Sequence, residues 1–277
     1  MCLANLSVGD AGPVELIDAA ATGGFDSVNM WLVEPVAMAH VTSFRRDVTP
    51  VVGNGSLIEA IRRRCDQRGV TIFTASPGWL GPKFDRGSIA AVMETLAALG
   101  ARSMSLVGWD PERTRLLENF IAVCEAAAAI RLDVHLEFMT YAGLKTVEEA
   151  RDFVARAAQP NARVIVDALH LDRSGGTPDA VRTLDPATIA SLQLCDAPKA
   201  RPPAEKLRDE SVNGRRLPGE GELPLFALLD ALPAGVVIEL ETPDASLVGS
   251  SIEDRAKRCG DAARRFLDAY RAARPSR

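Results

Sequence analysis

The sequence predicts a single-domain (β/α)8 barrel of the TIM type spanning residues 1–277, on three observations. Short apolar, β-rich runs recur along the chain, each followed by an amphipathic helical stretch, which is the signature of βαβ units and a parallel sheet. Eight such units are found, the number that closes a barrel, whereas an open doubly wound sheet has about five or six strands. The length of 277 residues matches one barrel of this kind.

In chain order, the first strand is expected at 2–7 (CLANLS). It leads to a helix that opens on Pro13, where a missing N–H is harmless, and stops at Gly23-Gly24. The second strand, 26–32 (DSVNMWL), is followed by a long connection, 33–55, and a helix at 56–68. Strands three and four fall at 70–75 (VTIFTA) and 102–107 (RSMSLV), with helices at 86–99 and 111–130. Strand five, 132–138 (LDVHLEF), precedes a helix at 146–158, and strand six, 163–169 (RVIVDAL), one at 177–184. Strand seven, 190–195 (ASLQLC), runs into a second long connection, 196–221, before a helix at 222–232. Strand eight, 236–241 (VVIELE), feeds the last helix, 251–273. Both long connections follow a strand, which in a barrel places them on the catalytic face.

A dinucleotide-binding sheet would need G-x-G-x-x-G after its first strand, and residues 9–14 read Gly-Asp-Ala-Gly-Pro-Val. Gly53-Asn54-Gly55 reads as a turn with a helix cap. Hydrophobic residues make up 47% and charged residues 25%, enough apolar material for a large core. The net charge of −5 and the absence of a basic stretch outside the Arg-rich tail disfavour nucleic acid and point to a small-molecule substrate. Five scattered cysteines without a C-x-x-C pair argue against disulfides or a thiolate zinc site. With no signal-like leader and no long apolar window, a cytoplasmic protein without membrane contact is expected. The last helix indicates no particular interface, and a homo-oligomer is left open.

Four polar residues interrupt apolar strands: Glu137 in LDVHLEF, Asp167 in RVIVDALH, Gln193 in ASLQLCDA and Glu239 in VVIELET. A charge in a strand buried on both faces is costly unless paired or coordinated. An ion pair or cap accounts for any one of them, but all four on successive strands are explained more economically by a shared cation. Three carboxylates and a carboxamide form an all-oxygen set, suited to Mg²⁺, Mn²⁺ or Co²⁺. Glu241, two residues beyond Glu239 on the same strand face, is a rival ligand.

With these residues the chain resembles the xylose isomerase-like family of sugar phosphate isomerases and epimerases, from Glu15-Leu16-Ile17-Asp18-Ala19-Ala20 and Gly24-Phe25-Asp26 to the last strand. The resemblance implies one divalent metal, Mg²⁺ or Mn²⁺ first and Co²⁺ or Zn²⁺ as alternatives, held by Glu137, Asp167, Gln193 and Glu239. Gln193 stands where the family usually has His, which should loosen zinc affinity. His170, in the D-x-x-H position after Asp167, is implied as an acid-base group, unlike His135 on strand five or His40 in the first long connection. Arg215-Arg216-Leu217-Pro218-Gly219-Glu220-Gly221 resembles a family segment that grips substrate, so Arg216 and Arg215, with Lys199 and Arg173 nearby, are candidate substrate-binding residues. Trp31, Trp79 and Trp109 fall at strand ends and would border the mouth.

The implied reaction is metal-assisted proton abstraction beside a carbonyl, with Glu137 and Glu239 exchanging protons with the substrate carbon through an enediolate. Returning the proton gives isomerisation or epimerisation of a sugar-like polyhydroxy-keto compound. Expelling a β-hydroxyl gives dehydration of a keto-cyclitol or 3-dehydroshikimate, the close alternative. A DNA-repair endonuclease on the same barrel would need many histidines for a zinc cluster, and this chain has three. A barrel without metal, acting as a binding protein, is the non-enzymatic alternative.

Overall fold

The computed structural model describes residues 1–32, 50–247 and 249–274. His40 and most of the connection after the second strand, 33–49, lie outside the described residues. Eight parallel strands close into one barrel in sequence order: β1 (Cys2–Ala4), β2 (Ser27–Trp31), β3 (Thr71–Leu80), β4 (Ser103–Gly108), β5 (Asp133–Glu137), β6 (Ala162–Asp167), β7 (Ile189–Leu194) and β8 (Val237–Leu240). The barrel predicted from the alternating pattern is therefore the observed fold.

Strand residues alternate between two environments. Val28, Met30, Val134, Leu136, Val164 and Val166 are fully buried in the apolar layer between strands and helices. Their neighbours Ser27, Asn29, His135, Glu137 and Asp167 make up a polar barrel interior that is buried as well.

The outer helices begin and end where the sequence supplies caps. The first, α1 (Pro13–Gly23), has Pro in its opening turn and ends on Gly24 at φ +74°. Next come α2 (Gly55–Arg68), capped by the Asn54 side chain, α3 (Ile89–Leu99), and α4 (Arg113–Ala129), capped by Glu112. Thr146 caps α5 (Val147–Ala157), and Ser251 caps the long α10 (Ile252–Ala272), which packs on α1. That packing is tight: a Cβ on Gly260 would sit 1.9 Å from the Gly23 carbonyl oxygen.

Several elements depart from the predicted bounds, and β3 runs on to Leu80 where a strand ending at 75 is expected. β1 stops at Ala4 and passes into a 3-10 turn, Asn5–Val8, in which Ser7 Oγ donates to the Leu240 carbonyl and accepts from Thr242 N–H, extending contact with the end of β8. The strand expected at 163–169 ends at Asp167, because that carboxylate caps a short helix, α6 (Ala168–Arg173). The helix expected at 177–184 is reduced to α7 (Pro178–Val181). The connection expected at 196–221 contains α8 (Leu207–Asn213), and α9 (Leu225–Ala231) follows it. Among the described residues no helix is long and apolar enough to cross a membrane.

Candidate active site

Parallel register passes one face of the sheet from strand to strand. Asp167 pairs with Gln193, Gln193 with Glu239 and Glu239 with Cys2. Registered partners share a face, so the shear of the barrel sets three of the four predicted ligands side by side on the inner surface. Glu137 pairs with Ile165, two residues before Asp167, and so joins the same face from β5.

Their hydrogen bonds are only partly made. Glu239 Oε1 accepts from Asn29 Nδ2 at 2.6 Å and from Gln193 Nε2 at 3.2 Å. Asp167 Oδ1 accepts the His170 backbone N–H at 2.8 Å, and its Oδ2 accepts Arg215 Nη1 at 2.5 Å. Arg215 Nη2 lies 3.1 Å from Glu241 Oε2, and Arg215 Nε donates to the Ser211 carbonyl at 2.7 Å. Glu137 Oε1, Gln193 Oε1, Glu239 Oε2 and both ring nitrogens of His170 are buried with no protein partner. Orphaned buried acceptors are rare, and several around one point call for a ligand.

The charges give the same reading. Glu137, Asp167, Glu239 and Glu241 gather around the single guanidinium of Arg215. Burial, with Glu241 and Asp167 nearby, pushes the Glu137 carboxyl well up, and burial also raises Glu239. Burial lifts Glu241 to about 8, against the pull of Arg215. For Asp167, burial is outweighed by Arg215 and His170, so this carboxyl is held below the usual range. Burial lowers the His170 imidazole to about 4, leaving it neutral at pH 7. A cluster that cannot ionise fully alone, and whose free atoms are mostly oxygens, fits a divalent cation. One ligand atom each from Glu137, Asp167 and His170 also falls within 4.8 Å of the others.

The pocket above is two-sided. Glu137, Gln193, Arg215 and Glu241 reach its surface, whereas Leu6, Trp31, Trp79, Val107, Met139 and Val212 supply an apolar wall. Trp79 stacks edge-on with Trp109, and Trp109 with Tyr141; Trp31 and Trp79 line the pocket, and Trp109 does not.

Among the arginines and lysine singled out by the sequence, Arg215 lines the pocket, but it is buried and committed to carboxylates. Arg216 and Lys199 are exposed and outside the pocket lining: Arg216 Nη1 donates to the Glu220 carbonyl, and Lys199 N–H to Glu222. Arg173 is a buried clamp, with Nε and Nη2 on Glu210 and Nη2 on the Pro198 carbonyl. The Pro-Gly-Glu-Gly segment is shaped by Asp196. Its carboxylate accepts the N–H groups of Ala197, Gly219 and Leu223, and a Cβ on Gly221 would lie 2.4 Å from the Ala197 carbonyl oxygen. Sequence reasoning missed Asn29 and Tyr141. Asn29 was visible as a polar residue inside the apolar run SVNMW.

A closed parallel barrel belongs to the TIM-barrel class, and its buried acids collect at the carboxyl ends of the later strands, where that class places active sites. A model of the xylose isomerase-like TIM barrel matches residues 17–269, and the chain belongs to that family. No curated protein matches the sequence. Among solved structures it is similar to the IolI protein with a bound zinc atom, at 15% identity and TM-score 0.76, covering 97% of this chain and 98% of that one. It is similar to D-psicose 3-epimerase from Clostridium cellulolyticum H10, at 15% identity and TM-score 0.70, covering 97% and 98%. It is also similar to the probable 3-DHS dehydratase AsbF from Bacillus anthracis, at 12% identity and TM-score 0.73, covering 95% and 98%. At such identities the likeness shows the fold alone.

Proposed function

We propose that the chain is a divalent-metal-dependent isomerase or epimerase acting on a sugar-like, polyhydroxy-keto small molecule. The observation that carries this reading is the set of unpartnered buried acceptors on Glu137, Gln193 and Glu239 beside Asp167. Glu137, Asp167, Gln193 and Glu239 would hold Mg²⁺ or Mn²⁺, with Co²⁺ or Zn²⁺ as alternatives, and the ion supplies Lewis-acid polarisation of the substrate's carbonyl and hydroxyl oxygens.

The chain's own residues account for the rest. The carboxylate of Glu137 or Glu239 accepts the proton from the carbon beside the carbonyl, and the other returns it to the neighbouring carbon or the opposite face. Neutral His170, with both ring nitrogens free, exchanges a proton with a substrate hydroxyl. Trp31, Trp79 and Val212 exclude water and hold the carbon skeleton.

A second reading, dehydration of a keto-cyclitol or 3-dehydroshikimate-like compound, shares the first step. It is supported by Gln193 on β7 and by the fold shared with the probable 3-DHS dehydratase. Proton NMR in D₂O with ketoses, inososes and 3-dehydroshikimate in saturating Mn²⁺ separates the two. Solvent exchange without loss of water is expected for the isomerase, and exchange with loss of water identifies the dehydratase. No exchange with any of these compounds overturns both readings.

A further inference from the structure

Arg215 joins two parts of the mouth, the strand ends and α8. Its side chain is 2% exposed, and its donors are divided between Asp167 at the end of β6, Cys195 Sγ just past β7, Glu241 just past β8, and the Ser211 carbonyl in the last turn of α8. α8 in turn builds part of the apolar wall: Val212 clusters with Leu6, and Trp31 and Trp79 pack against that pair. Ser211 Oγ also lies 2.6 Å from the Tyr141 hydroxyl, and Glu210 is held by Arg173, so α8 is anchored at several points.

We infer that Arg215 is a positioning residue that couples cation binding at the strand ends to the placement of α8, and so to the shape of the substrate pocket. The inference rests on the metal-dependent reading above. The contact between the guanidinium and Asp167, at 2.5 Å, is shorter than those to the Ser211 carbonyl and Glu241. A divalent cation drawing on the Asp167 carboxylate weakens its hold on Arg215, and the guanidinium then shifts its share of hydrogen bonding toward Glu241 and the Ser211 carbonyl. Both receiving groups are already within reach, at 3.1 and 2.7 Å. The stronger bond to Ser211 steadies the end of α8 and, with it, Val212 against Leu6 and the two indoles. Such coupling is reciprocal, so a ligand that settles α8 also tightens the site for the cation.

The test is hydrogen exchange of residues 207–213 with and without saturating Mn²⁺, alongside calorimetric measurement of Mn²⁺ affinity. In the unmodified protein, exchange across α8 is expected to slow by about fivefold or more when Mn²⁺ binds, the lower end of typical coupling. Arg215→Lys keeps the charge and loses the forked contacts. It is expected to bind Mn²⁺ within about threefold of the parent affinity, well inside one decade, with the α8 response gone. Glu241→Gln leaves the Asp167 pair intact, removes one receiving charge and is expected to reduce the response, which keeps the idea testable if Arg215→Lys does not fold. Mn²⁺ binding with unchanged α8 exchange, or Arg215→Lys responding like the parent, overturns the coupling alone. Failure of the parent protein to bind Mn²⁺ overturns the metal-dependent reading together with it.

Discussion

At the mouth of the barrel, β5 to β8 end in carboxylates and a carboxamide, of which Glu137, Gln193 and Glu239 each keep one oxygen without a protein partner, whereas the ends of β2 and β3 carry Trp31 and Trp79 beside Leu6. A carboxylate does stand just beyond β4, but Asp110 is fully served: Oδ1 accepts the Glu112 N–H and Arg115 Nη2, and Oδ2 accepts Arg115 Nε at 2.6 Å. Acids at equivalent ends of neighbouring strands thus differ in what satisfies them. Protein groups satisfy the acid beyond β4, whereas Glu137 on β5 and Glu239 on β8 each keep an unpartnered oxygen. On the proposed function, chemistry belongs to β5–β8 and substrate shape to β2–β3 together with α8.

The sharpest way to break this division is to neutralise one acid of β5–β8 without changing its size. Glu137→Gln removes a proton acceptor and an anionic ligand together, and is expected to lower the rate of substrate proton exchange by about a thousandfold or more. Because burial already opposes ionisation of Glu137, the neutral variant should fold. An unchanged thermal midpoint in chelator, with a lower bound-metal content by elemental analysis, would accompany the loss. Exchange retained within about tenfold, a small fraction of what an essential acid-base group contributes, would remove Glu137 from the chemistry.

The contrast was legible in the sequence to differing depths. All eight strands were readable because a strand buried on both faces must be a short apolar run, and Glu137, Asp167, Gln193 and Glu239 stood out as costly exceptions to that rule. Their adjacency was not readable, since it depends on register and shear across β6, β7 and β8. The sequence offers Arg215 and Arg216 alike as candidates to grip substrate and does not separate them. Only folding shows that Arg215 is buried between two acids while Arg216, one residue on, is exposed. The end of β6 was misjudged because Asp167 carries two duties, as an acid of the site and as the cap of α6, and the cap stops the strand. The glycines of the Pro-Gly-Glu-Gly segment carry no reading of their own in the sequence, and the structure accounts for them by the close approach of backbone to Asp196.

A milder effect is expected from the apolar half. Trp79→Ala removes an indole from the pocket wall and leaves the acids untouched. It is expected to raise KM by about tenfold while kcat stays within about threefold, the pattern of lost uniform binding. Steady-state kinetics on whichever compound exchanges in D₂O provides the check. A fall in kcat matching the fall in kcat/KM would mean that Trp79 acts on the transition state, and the two halves would no longer be distinct in role.

The smallest effect tests the satisfied acid that the comparison started from. Hydrogen bonds from Arg115 first, and then the backbone N–H of Glu112, hold the Asp110 carboxyl below its ordinary value against the opposing effect of burial. A carboxyl with a folded-state pKa below the unfolded one stabilises the fold above the unfolded value, about pH 4, and that contribution is lost as pH falls through the lower, folded value. Arg115 is 45% exposed, so the pair is partly screened. Asp110→Asn is therefore expected to cost about 1 kcal/mol or less at pH 7, a thermal shift of roughly 2 °C for a chain of this size. The deficit should close as pH drops below about 4. Glu137 and Glu239 are displaced in the opposite direction, so in the metal-free protein their protonation sets in at higher pH and does not remove an ion-pair contribution of this kind. Thermal midpoints in chelator from pH 7 down to the acid limit would show a difference between Asp110→Asn and the parent that narrows on acidification. A difference that stayed constant, or widened, would mean that Asp110 holds its loop by shape alone and that its charge is not what distinguishes it from the acids of β5 to β8.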